Sequence, residues 1–208
     1  MRVWLLVLLL ALLAGVWLRH LTGRGDRAPW IITTVVAALM IPMAWFEWQW
    51  QQTVAEASRI VRAVSGRGDA TAECQRMAAN FFYAGAHEGF VAWEEGDERG
   101  TGSTAFLTYK TCSELRQWLG GDKQRPGIDQ INAVHTLTHE AMHVAGFRNE
   151  AETECQAMAW DQTVAQALGA DERHAEGLAR TYRRIVYPQL RSNYRTDCTD
   201  IEVWNPPR

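Results

Sequence analysis

His139, Glu140 and His143 stand in the order H-E-x-x-H within HTLTHEAMHVAGFRNEAETEC, residues 135–155. On a helix of about 3.6 residues per turn, positions 139 and 143 project from one face, one turn apart. Two imidazoles so placed can reach one metal ion at about 2.0–2.1 Å each. Glu140 lies beside the pair, where a carboxylate can polarise a metal-bound water and take its proton as general base. These residue types at this spacing point to Zn2+ as cofactor and to hydrolysis by an activated water. The competing reading is a helix whose polar residues merely fall in this order. Context weighs against it: the motif has an apolar opposite face, reaches a glycine at 146, and is followed at once by an acidic helix.

The stretch resembles the active-site helix of the zincin metallopeptidases. Thermolysin-like gluzincins follow the second His with N-E-A-x-S-D, in which the Glu is the third zinc ligand and the final acid supports a ligand His. Asn149-Glu150-Ala151-Glu152-Thr153-Glu154 is similar to that motif. The resemblance implies Glu150 as third ligand and Glu154 as the supporting acid. The spacing from His143 to Glu150 is much shorter than in those enzymes, which requires a tight helical hairpin. HEAMHVAGFRN also resembles the metzincin pattern H-E-x-x-H-x-x-G-x-x-H, with Asn149 in place of the last His. In an antiparallel hairpin turning at 146–148, Glu150 lies opposite His143 and Glu154 nearer His139. Glu150 therefore leads, Glu154 is the alternative ligand, and Glu152 points elsewhere. The resemblance covers about 20 residues of the chain.

Other candidates carry less. His135 and His143 are two turns apart, about 12 Å along a straight helix, so one ion does not take all three imidazoles. His135 reads as a supporting or core residue. His87, His174, Tyr182, Tyr187 and Tyr194 are candidates to stabilise a developing oxyanion, and STAFLTY (103–109) is the expected edge for an extended peptide substrate.

The elements that must position these groups are mainly α. Ile131, Val134, Leu137, Ala141, Met142 and Ala145 recur at helical spacing over 128–145, with Gly146 as a stop. Asn149 can cap a second helix to 168, and a third spans 171–187, ended by Pro188. Upstream, ATAECQRMAANFFYAGAH reads as a helix capped by Asp69. GFVAWEE and STAFLTYKT read as a β-hairpin or pair of short strands around GDERGTG, and CSELRQWL as a brief helix. The last twenty residues are expected to be irregular, with Cys198 as anchor.

The N-terminal fifty residues differ in kind. Val3–Leu18 and Trp30–Phe46 are uncharged runs of roughly 16 and 17 residues, and six of the ten tryptophans fall near their ends. They are expected to form two transmembrane helices, with a cleaved signal peptide as the weaker alternative for the first. The basic connector RHLTGRGDRAP then faces the cytoplasm. The expected division is a two-span anchor (1–48), a juxtamembrane helix and linker (49–68), and an extracytoplasmic zincin-like domain (69–208) at the cytoplasmic membrane, in a multi-pass protein.

Cys74, Cys112, Cys155 and Cys198 all lie downstream, an even number that suggests two disulfides in such a setting. Cys74–Cys112 with Cys155–Cys198 is favoured, since the second bond would tie down the C-terminal tail. From residue 63 onward 15 Lys and Arg face 21 Asp and Glu, which argues against a nucleic-acid partner. The expected function is that of a membrane-anchored zinc metallopeptidase acting on a peptide or protein substrate, its N-terminal helices in the lipid bilayer. The alternative is a non-catalytic zincin-like binding or sensor module, with structural zinc or no metal.

Overall fold

A computed structural model of the chain describes residues 2–23, 29–76, 89–91 and 103–207. The described residues are mainly helical with a small three-stranded sheet. In chain order the elements are α1 (Arg2–Leu21), α2 (Pro29–Ser65), β1 (Thr71–Cys74), β2 (Gly89–Val91), β3 (Thr104–Leu107), α3 (Tyr109–Gly120), α4 (Ile128–Ala145), α5 (Glu150–Ala167) and α6 (Glu172–Thr181). The chain divides into two compact units, Met1–Gln51 and Gln52–Arg208.

The expected membrane anchor is corrected by the first unit. Among the described residues no helix is long and apolar enough to cross a membrane. At about 1.5 Å per residue the uncharged runs rise only about 24–26 Å, short of a hydrocarbon core of about 30 Å. α1 itself includes Arg2, Arg19 and His20, and α2 takes in Glu47, Glu56, Arg59 and Arg62. The two spans, the bilayer as partner and the multi-pass placement at the cytoplasmic membrane are therefore withdrawn. The connector at residues 24–28 lies outside the described residues.

In the second unit the site rests on α4 and α5. α4 buries Ile131, Val134, Leu137, Ala141 and Met142, packing against α3 and the sheet on one side and α5 on the other. It ends at Gly146, whose φ of 111° is a left-handed conformation open to glycine at little cost. The Phe147 N–H then closes on the Met142 carbonyl at 3.2 Å, and the Asn149 side chain accepts from the Glu152 N–H at 3.0 Å to start α5. This four-residue turn is the tight hairpin that the spacing demanded.

The sheet has the order β1-β3-β2, with β1 parallel and β2 antiparallel to β3. The antiparallel strand pair was legible; β1 was not. The helix expected from residue 70 is instead a strand at its start, because burial there alternates, with Ala72 inside and Thr71 and Glu73 outside. The Ala72 N–H bonds Ser58 Oγ of α2 at 2.9 Å, and Asp69, expected as a helix cap, instead pairs with Arg67 at 3.3 Å. The remainder of that expected helix (77–87), His87 and the loop GDERGTG lie outside the described residues.

Two disulfides close the unit, Cys74–Cys112 from β1 to α3 and Cys155–Cys198 from α5 to the C-terminal segment, in the favoured pairing. The tail has a further anchor. Trp204 donates from Nε1 to the Val64 carbonyl at 2.7 Å, and its own carbonyl accepts from Trp160 Nε1 at 3.0 Å. The third expected helix stops early: α6 passes at Tyr182 into a π-helical turn (Tyr182–Val186) and a 3-10 turn (Tyr187–Gln189) containing Pro188.

Candidate metal centre

α4 presents His135, His139 and His143 in one stripe, and α5 answers with Glu150, Glu154 and Asp161. Running antiparallel, the two stripes mesh. His143 Nε2 and His139 Nε2 both face Glu150 Oε2, at 3.4 and 3.1 Å. His139 Nδ1 on the opposite ring edge donates to Glu154 Oε2 at 3.0 Å. His135 sits deeper, bonding Glu154 Oε2 at 3.1 Å through Nε2 and Asp161 Oδ2 at 2.9 Å through Nδ1. Glu152, as expected of its position, is exposed on another side of α5.

His139, His143 and Glu150 form a group that could hold a metal ion, their donor atoms lying within 4.8 Å of one another. The donor set fits one. Ligands at about 2.0–2.2 Å in a tetrahedron stand about 3.3–3.6 Å apart, close to the observed nitrogen–oxygen separations. Each ring is also fixed from behind. His143 Nδ1 donates to the Phe147 carbonyl at 2.7 Å, as His139 Nδ1 does to Glu154, so both Nε2 atoms are directed at Glu150. A partner on the far nitrogen is the arrangement that fixes tautomer and orientation in metal-ligating histidines.

A second group, His135, His139 and Glu154, meets the same distance condition. Its carboxylate is already committed, taking His135 and His139 on one oxygen and the Tyr182 hydroxyl on the other at 2.7 Å. Glu154 is therefore suited to orienting His139, with His135 and Tyr182 orienting Glu154 in turn. Tyr182 stacks on His135 with ring centroids 3.5 Å apart, which the π-helical turn makes possible by carrying the ring inward.

The electrostatics follow from burial among these charges. Burial disfavours a charged His135, but the Asp161 and Glu154 carboxylates overcome it and raise its pKa to about 10. His139 is likewise opposed by burial and raised to about 9 by its hydrogen bonds to Glu150 and Glu154. Hydrogen bonds from His139 and His143 hold Glu150 well below the usual carboxylate range. Glu154 ends in the same direction, the His135 charge outweighing its burial. Glu140 goes the other way: burial pushes it up, against the pull of His139 and His143.

Glu140 is held differently from its neighbours. Its side chain lies against Gly89 of β2, where an added Cβ would stand 2.7 Å from Glu140 Oε1 and Cγ. Only glycine permits that approach. Glu140 Oε2 is buried with no hydrogen-bond partner among the described residues. Glu140 also helps to line a cavity of about 290 Å³, together with His139, Asn132, Leu190, Arg191 and Tyr194.

The oxyanion candidates separate here. The Tyr182 hydroxyl is committed to Glu154, and Tyr187 donates to the Thr196 carbonyl at 2.7 Å. His174 bonds Asp171 at 2.8 Å and lies outside the cavity lining. Tyr194 lines the cavity with its ring 6.0 Å from that of His139, and burial together with the Glu150 charge keeps its phenol protonated above the ordinary range. STAFLTY is not an edge: β3 is the central strand, paired on both sides, and β2 stands at the end of the described sheet beside Glu140. Sequence reading missed Asp161, Gly89 and Arg191. Only Asp161 left a signal, seven residues after Glu154 on the same helical face.

The chain matches no family model, no curated protein and no solved structure in the comparisons made with each.

Proposed function

We propose that the chain is a zinc-dependent metallopeptidase, with His139, His143 and Glu150 holding the ion and Glu140 acting as general base. The observation that carries this is a pairing of opposites: two oriented imidazole nitrogens converge on one carboxylate, beside a buried carboxylate oxygen left without a partner among the described residues. A purely structural ion has no use for the second feature. Two nitrogen donors and one oxygen donor suit zinc, and three protein ligands leave a position open, the pattern of catalytic rather than structural sites.

Zinc, when bound, supplies Lewis-acid polarisation of water and of the scissile carbonyl. The protein's part is positioning and proton transfer. Glu140 Oε2 accepts a proton from water as the oxygen adds to the acyl carbon, and returns it to the leaving amine nitrogen as the C–N bond breaks. One water is consumed per bond, with the hydroxyl on the new carboxyl group and the proton on the amine. Burial raises the Glu140 pKa above that of an ordinary carboxylate, the direction that makes it a better proton acceptor. Gly89 holds that carboxylate in place. We assign β2 as the strand along which an extended peptide lies.

Glu140→Gln is the discriminating variant. With zinc restored, hydrolysis of a peptide library is expected to fall by about 10²–10⁴-fold while zinc content and thermal unfolding stay unchanged. Undiminished activity in that variant would remove Glu140 as the general base, and no activity in a zinc-loaded wild type would transfer the site to the non-catalytic alternative.

A further inference from the structure

The lining of the cavity beside Glu140 includes Arg191, a cation with no neutralising partner among the described residues. Arg191 lines it, is exposed, and among the described residues has no hydrogen bond or ion pair to its guanidinium. Of the carboxylates that share the lining, Glu154 takes three donors, and Glu140 lies against Gly89 on the side of the cavity formed by α4 and β2. Arg191 belongs to the same turn as Tyr194, whose N–H bonds the Arg191 carbonyl at 3.0 Å and whose ring lies 6.0 Å from that of His139.

From this arrangement we infer that the substrate is a peptide carrying a carboxylate close to the scissile bond, and that Arg191 is the residue that selects it. The inference rests on the peptidase reading for its substrate class. A planar fork of guanidinium donors matches one carboxylate bidentately, the strongest common pairing available to a single cation. A cavity of about 290 Å³ lies at the small end of ligand pockets, which suits the end of a peptide or one acidic side chain rather than a large ligand. The carboxylate can come from the C terminus, making the protein a carboxypeptidase, or from an Asp or Glu side chain. The same contact serves both.

The test is binding to the full chain stripped of metal, so that a ligand carboxylate has no ion to coordinate. Three probes are compared by calorimetry: N-acetyl-alanyl-leucine, its C-terminal amide, and N-acetyl-alanyl-aspartic acid as its C-terminal amide. At least one free acid is expected to bind roughly 10–100-fold more tightly than the leucine amide. Preference for the first probe alone assigns the C terminus, and preference for the third alone the side chain. Arg191→Met is expected to abolish the preference and Arg191→Lys to retain part of it. Equal binding of all three, binding of none, or a preference that survives Arg191→Met would overturn the inference. Zinc-loaded turnover separates the two readings. Hydrolysis without any carboxylate preference removes only the Arg191 assignment, while a preference without hydrolysis removes only the peptidase.

Discussion

At the scale of single residues, the site divides into groups that would touch a metal and groups that aim them. Wild type is expected to bind one zinc per chain, and His143→Ala and Glu150→Ala, each of which removes a donor, are each expected to lose it. Glu154→Gln leaves three donors but loosens His139, and a drop of about 10–100-fold in affinity is expected. Competition with a chromophoric chelator measures all three. Zinc retained in Glu150→Ala but lost when Glu154 is changed would move the ion to the deeper group. Protons compete for the same nitrogens. In the metal-free protein burial opposes the charge on His139, yet Glu150 and Glu154 carry its pKa to about 9. A metal requires the neutral ring, so binding near pH 7 displaces protons, and apparent affinity climbs with pH before levelling off above about 9. Calorimetry in buffers of different ionisation enthalpy counts those protons, and a count of zero contradicts the expectation.

At the scale of elements, the α4–α5 hairpin and β2 do different work. The hairpin sets the register of the His and acidic stripes, and its turn is built from local signals: Gly146 in a left-handed conformation and Asn149 as cap. β2 contributes a single absence, the missing side chain of Gly89. Gly89→Ala would place a methyl group 2.7 Å from Glu140 Oε1, so the carboxylate must shift. The expected result is a fall in kcat of about 10-fold or more with zinc content unchanged, since small misplacements of a catalytic group are costly. Unaltered kcat would show that Glu140 works from another position.

At the scale of the whole molecule, the C-terminal segment is a wall of the cavity and not a loose tail. Leu190, Arg191 and Tyr194 stand on it, and Cys198 bonds it to Cys155 within α5, next to Glu154. Replacing Cys155 and Cys198 by alanine is expected to cost roughly 2–4 kcal/mol in denaturant stability. It should also raise KM, because the wall then loses a covalent tether. The corresponding change at Cys74 and Cys112 should destabilise with little effect on KM, since that bond joins β1 to α3. Equal KM effects from the two pairs would show that the wall does not depend on its own disulfide.

How much of this was legible follows from the range of the interactions. H-E-x-x-H, the glycine stop, the asparagine cap and the acidic stripe are written within about thirty residues, and helical periodicity alone sets His143 and His139 against Glu150 and Glu154. Those features the amino-acid order determined. Hydropathy misled at the N terminus because the absence of charge is not the same as the length and apolarity a bilayer demands. Periodicity misled at residue 71 because the strand there owes its conformation to β3 and Ser58, both distant in sequence. Tertiary structure alone decided that Gly89 meets Glu140, that Tyr182 closes the network behind His139, and that Arg191 and Tyr194 line the cavity. Each of these contacts joins segments whose separation along the chain carries no local signal, so only packing could bring them together.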